Sequence, residues 1–159
     1  MANIITQHKM IDGTGRAQIK LTGIMDGTGQ VNQVAIDVSN LAYAANANGL
    51  PMVANTHPKG TYNVTIKRIL ADVAGAGYVS LLYHNTVANT PIITLGPGYK
   101  EVDFDFLGGA LSNPEAVAAN TNGDIIVSTM GMAANSAFTI MIDVKKNPND
   151  YLIPASDYI

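Results

Sequence analysis

The chain has no cysteine and no tryptophan, and only 13% of its 159 residues are charged. Without cysteine there are no disulfides, thiol nucleophiles or thiolate metal sites, and compartment is left open. An ordinary soluble domain carries about 25% charged residues, so the deficit here is large. A monomer with so few charges is poorly protected against self-association, which points to a life in an assembly. The polar surface must come from Asn, Thr, Gln, Ser and exposed backbone. Net charge is −3, so nothing favours nucleic acid. The adjacent basic pairs, Lys67-Arg68 and Lys145-Lys146, lack the aromatic neighbours that stack bases. No stretch approaches the roughly 18 apolar residues of a membrane span. Residues 1–9 lack the basic region followed by an apolar run of a secretory leader, so none is expected.

What is present is turn chemistry. Asp12-Gly13-Thr14-Gly15 recurs as Asp26-Gly27-Thr28-Gly29. Glycine accepts positive φ without a Cβ clash, so both turns suit hairpins, and the chain is expected to open as a hairpin meander. Val31–Val38 largely alternates in period two, and Tyr62–Leu70 does so more clearly. In that second segment Tyr62, Val64 and Ile66 share one face and Asn63, Thr65 and Lys67 the other. The register breaks at Arg68-Ile69, which predicts a bulge near Lys67 or Arg68. Further short strands are expected at 4–8, 18–23, 78–83, 91–95, 99–106, 125–129 and 138–144. Two short helical pieces are expected, one capped by Ser39 or Asn40 over 41–47 and one starting at Pro114.

Eight or nine short strands between Gly, Asn and Pro turns, with no crossover helices, predict an all-β, antiparallel β-sandwich. It should be jelly-roll-like, with short helical turns in its loops. A single domain is expected over 1–146, followed by an extended tail over 147–159. Tyr62, Val64, Ile66, Val102, Phe104, Ile140 and Ile142 are expected in the core.

The candidate chemistry is thin. His8, His57 and His84 are far apart, with no helical metal-ligand spacing, so no metal is expected. Asp103 and Asp105 on one strand face would stand about 6.6 Å apart at about 3.3 Å per residue, a glycosidase-like separation. Alternating aspartates are also what a solvated strand looks like, and that reading wins. Asp12 or Asp26 could hold a cation, but the ligand series of a calcium loop is missing, so plain turn chemistry is favoured. Gly96-Pro97-Gly98 and Gly108-Gly109 match no phosphate loop, and no serine sits in a Gly-x-Ser-x-Gly setting. No cofactor and no catalysis are expected.

The order of motifs from Ile66 to Lys145 has a likeness. It runs through Val79-Ser80-Leu81-Leu82-Tyr83-His84-Asn85-Thr86, Ile92-Ile93-Thr94-Leu95-Gly96-Pro97-Gly98, Val102-Asp103-Phe104, Gly108-Gly109 and Thr121–Thr129. With the Asp-Gly-x-Gly hairpin between Ile19 and Leu41, this resembles small structural proteins of tailed bacteriophage virions, most of all head decoration (cement) proteins. The resemblance implies a non-enzymatic protein made in the host cytoplasm and placed on the virion's capsid surface. It also implies the major capsid protein as partner and a homo-oligomer, with a trimer as the first expectation. A neck or tail component and a carbohydrate-binding module are the alternatives. The latter would be favoured if Tyr43, Tyr62, Tyr78, Tyr83 and Tyr99 formed one exposed platform. The apolar ends carry the expected assembly contacts: Ile4, Ile5, Leu152, Ile153, Tyr158 and Ile159. They are expected to dock on another subunit or the capsid floor, by strand addition, the alternative being a tail folded onto its own sandwich.

Overall fold

The computed structural model describes residues 3–30, 32–45, 48–50, 62–85, 88–106, 111–114 and 123–152. Ten strands are assigned among them: β1 (Ile4–Asp12), β2 (Arg16–Ile24), β3 (Gln33–Ile36), β4 (Val64–Ala74), β5 (Tyr78–Tyr83), β6 (Thr90–Leu95), β7 (Gly98–Asp103), β8 (Leu111–Ser112), β9 (Ile125–Met130) and β10 (Ala137–Lys146). One layer has the order β1-β2-β10-β4-β7, with the short β8 also paired to β4. The other has the order β3-β9-β5-β6. Every pairing is antiparallel.

The chain passes from one layer to the other at β2–β3, β3–β4, β4–β5, β6–β7, β8–β9 and β9–β10. Setting β1 and β8 aside, this leaves four strands facing four, in the interleaved order of a jelly roll. The expected all-β sandwich is therefore the fold, with β1 added at one edge. The first Asp-Gly-Thr-Gly makes the β1–β2 hairpin. The second does not make a hairpin: it carries the chain from β2 across to β3 in the other layer. Its Asp26 carboxylate turns inward on its own loop, accepting from Thr28 N at 2.8 Å and Thr28 Oγ1 at 2.6 Å. The loop then joins the opposite sheet, with Thr129 N donating to Gln30 O at 2.8 Å.

Between the layers, strand alternation places Ile19, Leu21, Ile66, Ile69, Val79, Leu81, Ile140 and Ile142 in the core, each at most 1% exposed. Burying a side chain of this size stabilises by about 1.5–3 kcal/mol. Of the expected core residues, Tyr62, Val64, Ile66, Ile140 and Ile142 are buried. Phe104 packs partly against the core and Val102 is half-buried. The bulge falls as expected: the β10 partners run Asp143↔Arg68, then Val144↔Ile66, leaving Lys67 as the extra residue. At one end of the sandwich the β4–β5 turn lies against the β9–β10 loop. A Cβ on Gly77 (φ +102°) would come within 2.6 Å of Gly131 C and Met132 N, so only glycine fits.

Two expected elements differ. The helix over 41–47 is absent through Ala45. Asp37, not Ser39 or Asn40, caps a single 3-10 turn at Val38–Asn40. Tyr43 then takes φ 66°, which ends any right-handed helix. The strand over 99–106 stops at Asp103, and Phe106, beyond its end, is 88% exposed. The helical piece expected after Pro114 lies outside the described residues.

Candidate functional site

Alternation on β1, β2, β10, β4 and β7 of the larger layer sends every second side chain outward. Cross-strand register aligns these into rows. One row reads Thr6, Thr22, Thr139, Asp72, Tyr99 across β1, β2, β10, β4 and β7. The next reads His8, Lys20, Met141, Leu70, Glu101. Directly paired side chains on one face have Cβ atoms about 4.5–5.5 Å apart. Tyr99, on the edge strand and 67% exposed, therefore stands beside the exposed carboxylate of Asp72. Thr139 follows on the next strand, also exposed.

The polar groups in these rows differ in what already occupies them. Thr6 and Thr22 share a hydrogen bond of 2.6 Å. Glu101 lies 3.7 Å from Arg68, and Arg68 and Arg16 both reach Asp143, at 3.5 and 3.2 Å. Asp72, Thr139 and the Tyr99 hydroxyl have no hydrogen-bond or ionic partner among the described residues. An aromatic plate, a carboxylate acceptor and a hydroxyl thus sit together, exposed and unengaged. Leu70 and Met141, both half-buried, give the adjoining row an apolar middle.

The outer face of the smaller layer is built from similar residue types with a different result. Ser80 and Thr94 bond one another at 3.1 Å. Ser128 accepts from Asn32 N at 2.9 Å and donates to Asn32 Oδ1 at 3.2 Å. Tyr78 is exposed, but its ring flanks Gly96, and Met130 is its strand partner.

A second polar cluster is buried. Parity along β10 puts Lys146 on the inward face with Phe138, Ile140, Ile142 and Val144, and its side chain is 0% exposed. Its ammonium donates to Asp12 Oδ1 at 2.6 Å, Gly13 O at 2.6 Å and Ala42 O at 2.8 Å. Three donors thus meet three acceptors. The Tyr151 ring lies 5.4 Å away and the Tyr43 ring 5.8 Å. Burial pushes the lysine's pKa down, opposed by the Asp12 hydrogen bond and charge. The Asp12 turn does hold a cation, and that cation is the chain's own ammonium. The basic pair Lys145-Lys146 gave no hint of this; the parity of Lys146 with Ile140 and Ile142 was the available signal.

The remaining candidates fall apart in space or are engaged. Asp105 pairs with Lys67 at 2.7 Å, and Asp103 accepts from Phe106 N at 3.2 Å, so the two aspartates serve separate local contacts. His8 is exposed on β1, His84 is exposed after β5, and His57 lies outside the described residues. Among the described residues no three His, Asp or Glu side chains converge on a metal position. Nor does any described helix reach the length and apolarity needed to cross a membrane. The five tyrosines do not form one platform. Tyr62 and Tyr83 are 1% exposed, their hydroxyls donating to Ala45 O at 2.6 Å and Leu111 O at 2.8 Å. Tyr43 sits by the Lys146 cluster.

Of the terminal residues, Ile4 is exposed and Ile5 packs partly against the core. The first residues after Lys146 dock on the chain's own 38–45 loop. Tyr151 is 1% exposed with its hydroxyl donating to Val38 O at 2.7 Å, and Leu152 N donates to Tyr43 O at 2.8 Å. Leu152 is half-buried, and Ile153, Tyr158 and Ile159 lie outside the described residues. Near this loop Asp124 is 8% exposed and accepts from Val38 N at 2.9 Å. Burial, the largest influence, raises its pKa to about 6.

No family model matches the chain, and no curated protein does. Among solved structures, one described as "CBM4 structure and function" is 12% identical, covering 89% of this chain and 91% of that one, with a TM-score of 0.26. A match at that level assigns neither a family nor site residues. The expectation of a phage capsid decoration protein is corrected at this point: no family model or curated protein supports it, and the structural match is described as a carbohydrate-binding module and not as a capsid protein. The physical reason lies in what carried the resemblance. Period-two strands and Asp-Gly turns specify a jelly roll, and that fold serves capsid and lectin domains alike.

Proposed function

We propose that this chain is a non-catalytic carbohydrate-binding module. Its binding surface is the outer face of the β1-β2-β10-β4-β7 sheet, centred on Tyr99, Asp72 and Thr139. The observation that supports this reading is their state: three neighbouring side chains on adjacent strands, exposed, with no partner among the described residues. A sugar ring presents an apolar C–H face and a rim of hydroxyls. Tyrosine offers a large amphipathic surface at low conformational cost. A carboxylate accepts from hydroxyl pairs, and a threonine hydroxyl both donates and accepts. With the Asp72 carboxylate beside the ring, the patch suits neutral glycans over uronate-containing ones.

Isothermal titration against neutral and uronate-bearing oligosaccharides tests this. The expected result is binding of one or more neutral chains, lost in Tyr99→Ala and kept in Tyr78→Ala. Binding that survives Tyr99→Ala, or no binding to any neutral glycan, overturns it.

A further inference from the structure

Each sandwich layer ends in two edge strands: β1 and β7 in one, β3 and β6 in the other. Exposed edges invite pairing with another chain, and proteins blunt them with charge, proline, bulges or shortness. Three of these edges are blunted. β7 (GYKEVD) carries Lys100, Glu101 and Asp103. β6 contains Pro91 and a register shift opposite Leu81 and Leu82. β3 is 4 residues long and is itself shifted between Val34 and Ile36.

β1 differs. It has 9 residues and pairs only with β2 among the described strands. Its first stretch, Ile4 to His8, runs in unbroken register against Ile24 to Lys20, and its shift comes later, between Lys9 and Ile11. Ile4-Ile5-Thr6-Gln7-His8 has no proline, no glycine and no residue formally charged at pH 7. Lys9 guards only the half beyond, where it reaches Asn40 O at 2.6 Å.

We infer that the Ile4–His8 edge of β1 pairs antiparallel with the same edge of a second copy, joining the two larger sheets into one. The segment is self-complementary. With Thr6 on the two-fold axis, Ile4 faces His8 of the other copy and Ile5 faces its Gln7. Both lysines at position 9 then fall outside the paired stretch. Such a contact is isologous and closes at a dimer, so the trimer expected on resemblance is not what this edge builds. An antiparallel seam keeps both outer faces on one side of the joined sheet. At about 4.8 Å per strand, the two Tyr99 patches would lie on the order of 40 Å apart. That spacing bears on two-site glycan binding but is not a ground for the pairing itself.

Size-exclusion chromatography with light scattering on the full chain tests this, alongside Thr6→Lys, Thr6→Glu and Thr139→Lys, each checked for its β spectrum. The wild-type chain is expected to have the mass of a dimer. Each Thr6 variant should be a monomer, because like charges face each other across the seam. Equal amounts of Thr6→Lys and Thr6→Glu should restore the dimer, which two unfolded variants could not do. Thr139→Lys, on the same row two strands inward, should remain dimeric. A wild-type monomer, a Thr6→Lys dimer, or loss of the dimer in Thr139→Lys (which would mark face-to-face docking) overturns the inference.

Discussion

The polar clusters around Lys146 and around Tyr99 are opposites. Around Lys146 every group is used: three acceptors surround the ammonium, and Asp12 also accepts from Ala42 N at 2.9 Å through its other oxygen. Around Tyr99 the neighbouring polar groups are exposed and lack partners among the described residues. The difference separates fold from function. A buried polar group must be satisfied inside the chain or it destabilises the fold. An exposed, unengaged group contributes little to stability and is available to a ligand. Removing a member of the first cluster should therefore cost stability and spare binding, and the reverse should hold for the second.

The sharpest break in that comparison is Lys146→Met. It keeps most of the apolar stem but leaves the Asp12 carboxylate, at 15% exposure, without its buried counter-charge. Removing one partner of such a pair costs about 3–5 kcal/mol. Urea unfolding should read that loss, and the melting temperature should fall by about 10 °C for a chain of this size. Glycan affinity of the folded fraction should be unchanged.

Tyr99→Ala is the converse. Affinity for neutral glycans should fall at least tenfold, equivalent to about 1.4 kcal/mol. The urea midpoint should shift by no more than surface substitutions usually do, about 0.5 kcal/mol.

Asp124 lies between the two kinds: buried, with a hydrogen bond from Val38 N, yet with a pKa raised to about 6 by burial. A raised folded-state pKa on a carboxyl favours the folded form when it is protonated. Its stabilisation is complete below the unfolded value of 3.8 and is lost as pH rises through about 6. Partial solvent access reduces the effect to about 1 kcal/mol. Asp124→Asn should flatten the stability profile between those pH values, as urea titrations at stepped pH would show.

The smallest effect separates the outer faces. Asp72→Asn should weaken glycan binding several-fold, because an amide accepts less strongly than a carboxylate. Ser80→Ala should leave binding unchanged, since Ser80 is already bonded to Thr94. Titration calorimetry of the pair checks both.

The sandwich could be read from the sequence because alternation is a local signal. Tyr62, Val64 and Ile66 announce their inward face by spacing alone, and the break after Lys67 marks the bulge that β10 then accommodates. The repeated Asp-Gly-Thr-Gly misled because identical turns follow different partners. The first closes onto β2, while the second is drawn across by Thr129 on β9. Exposure was harder still. Tyr62, Tyr83 and Tyr99 are the same residue type in similar strand contexts, yet two are in the core and one stands at an edge. What decides is the neighbouring strand in space: Asp72 beside Tyr99, and Tyr151 packed 5.8 Å from Tyr62. The Tyr99 cluster joins strands far apart in sequence, so no motif could mark it.

The most direct measurement is a backbone NMR titration of the full chain with the neutral oligosaccharide that binds best. The shifts are expected to centre on Tyr99, Asp72 and Thr139 and to fade toward the β3-β9-β5-β6 sheet. Shifts centred on Tyr78 and Met130 instead, or no saturable shifts with any neutral glycan, would contradict the assignment of this face.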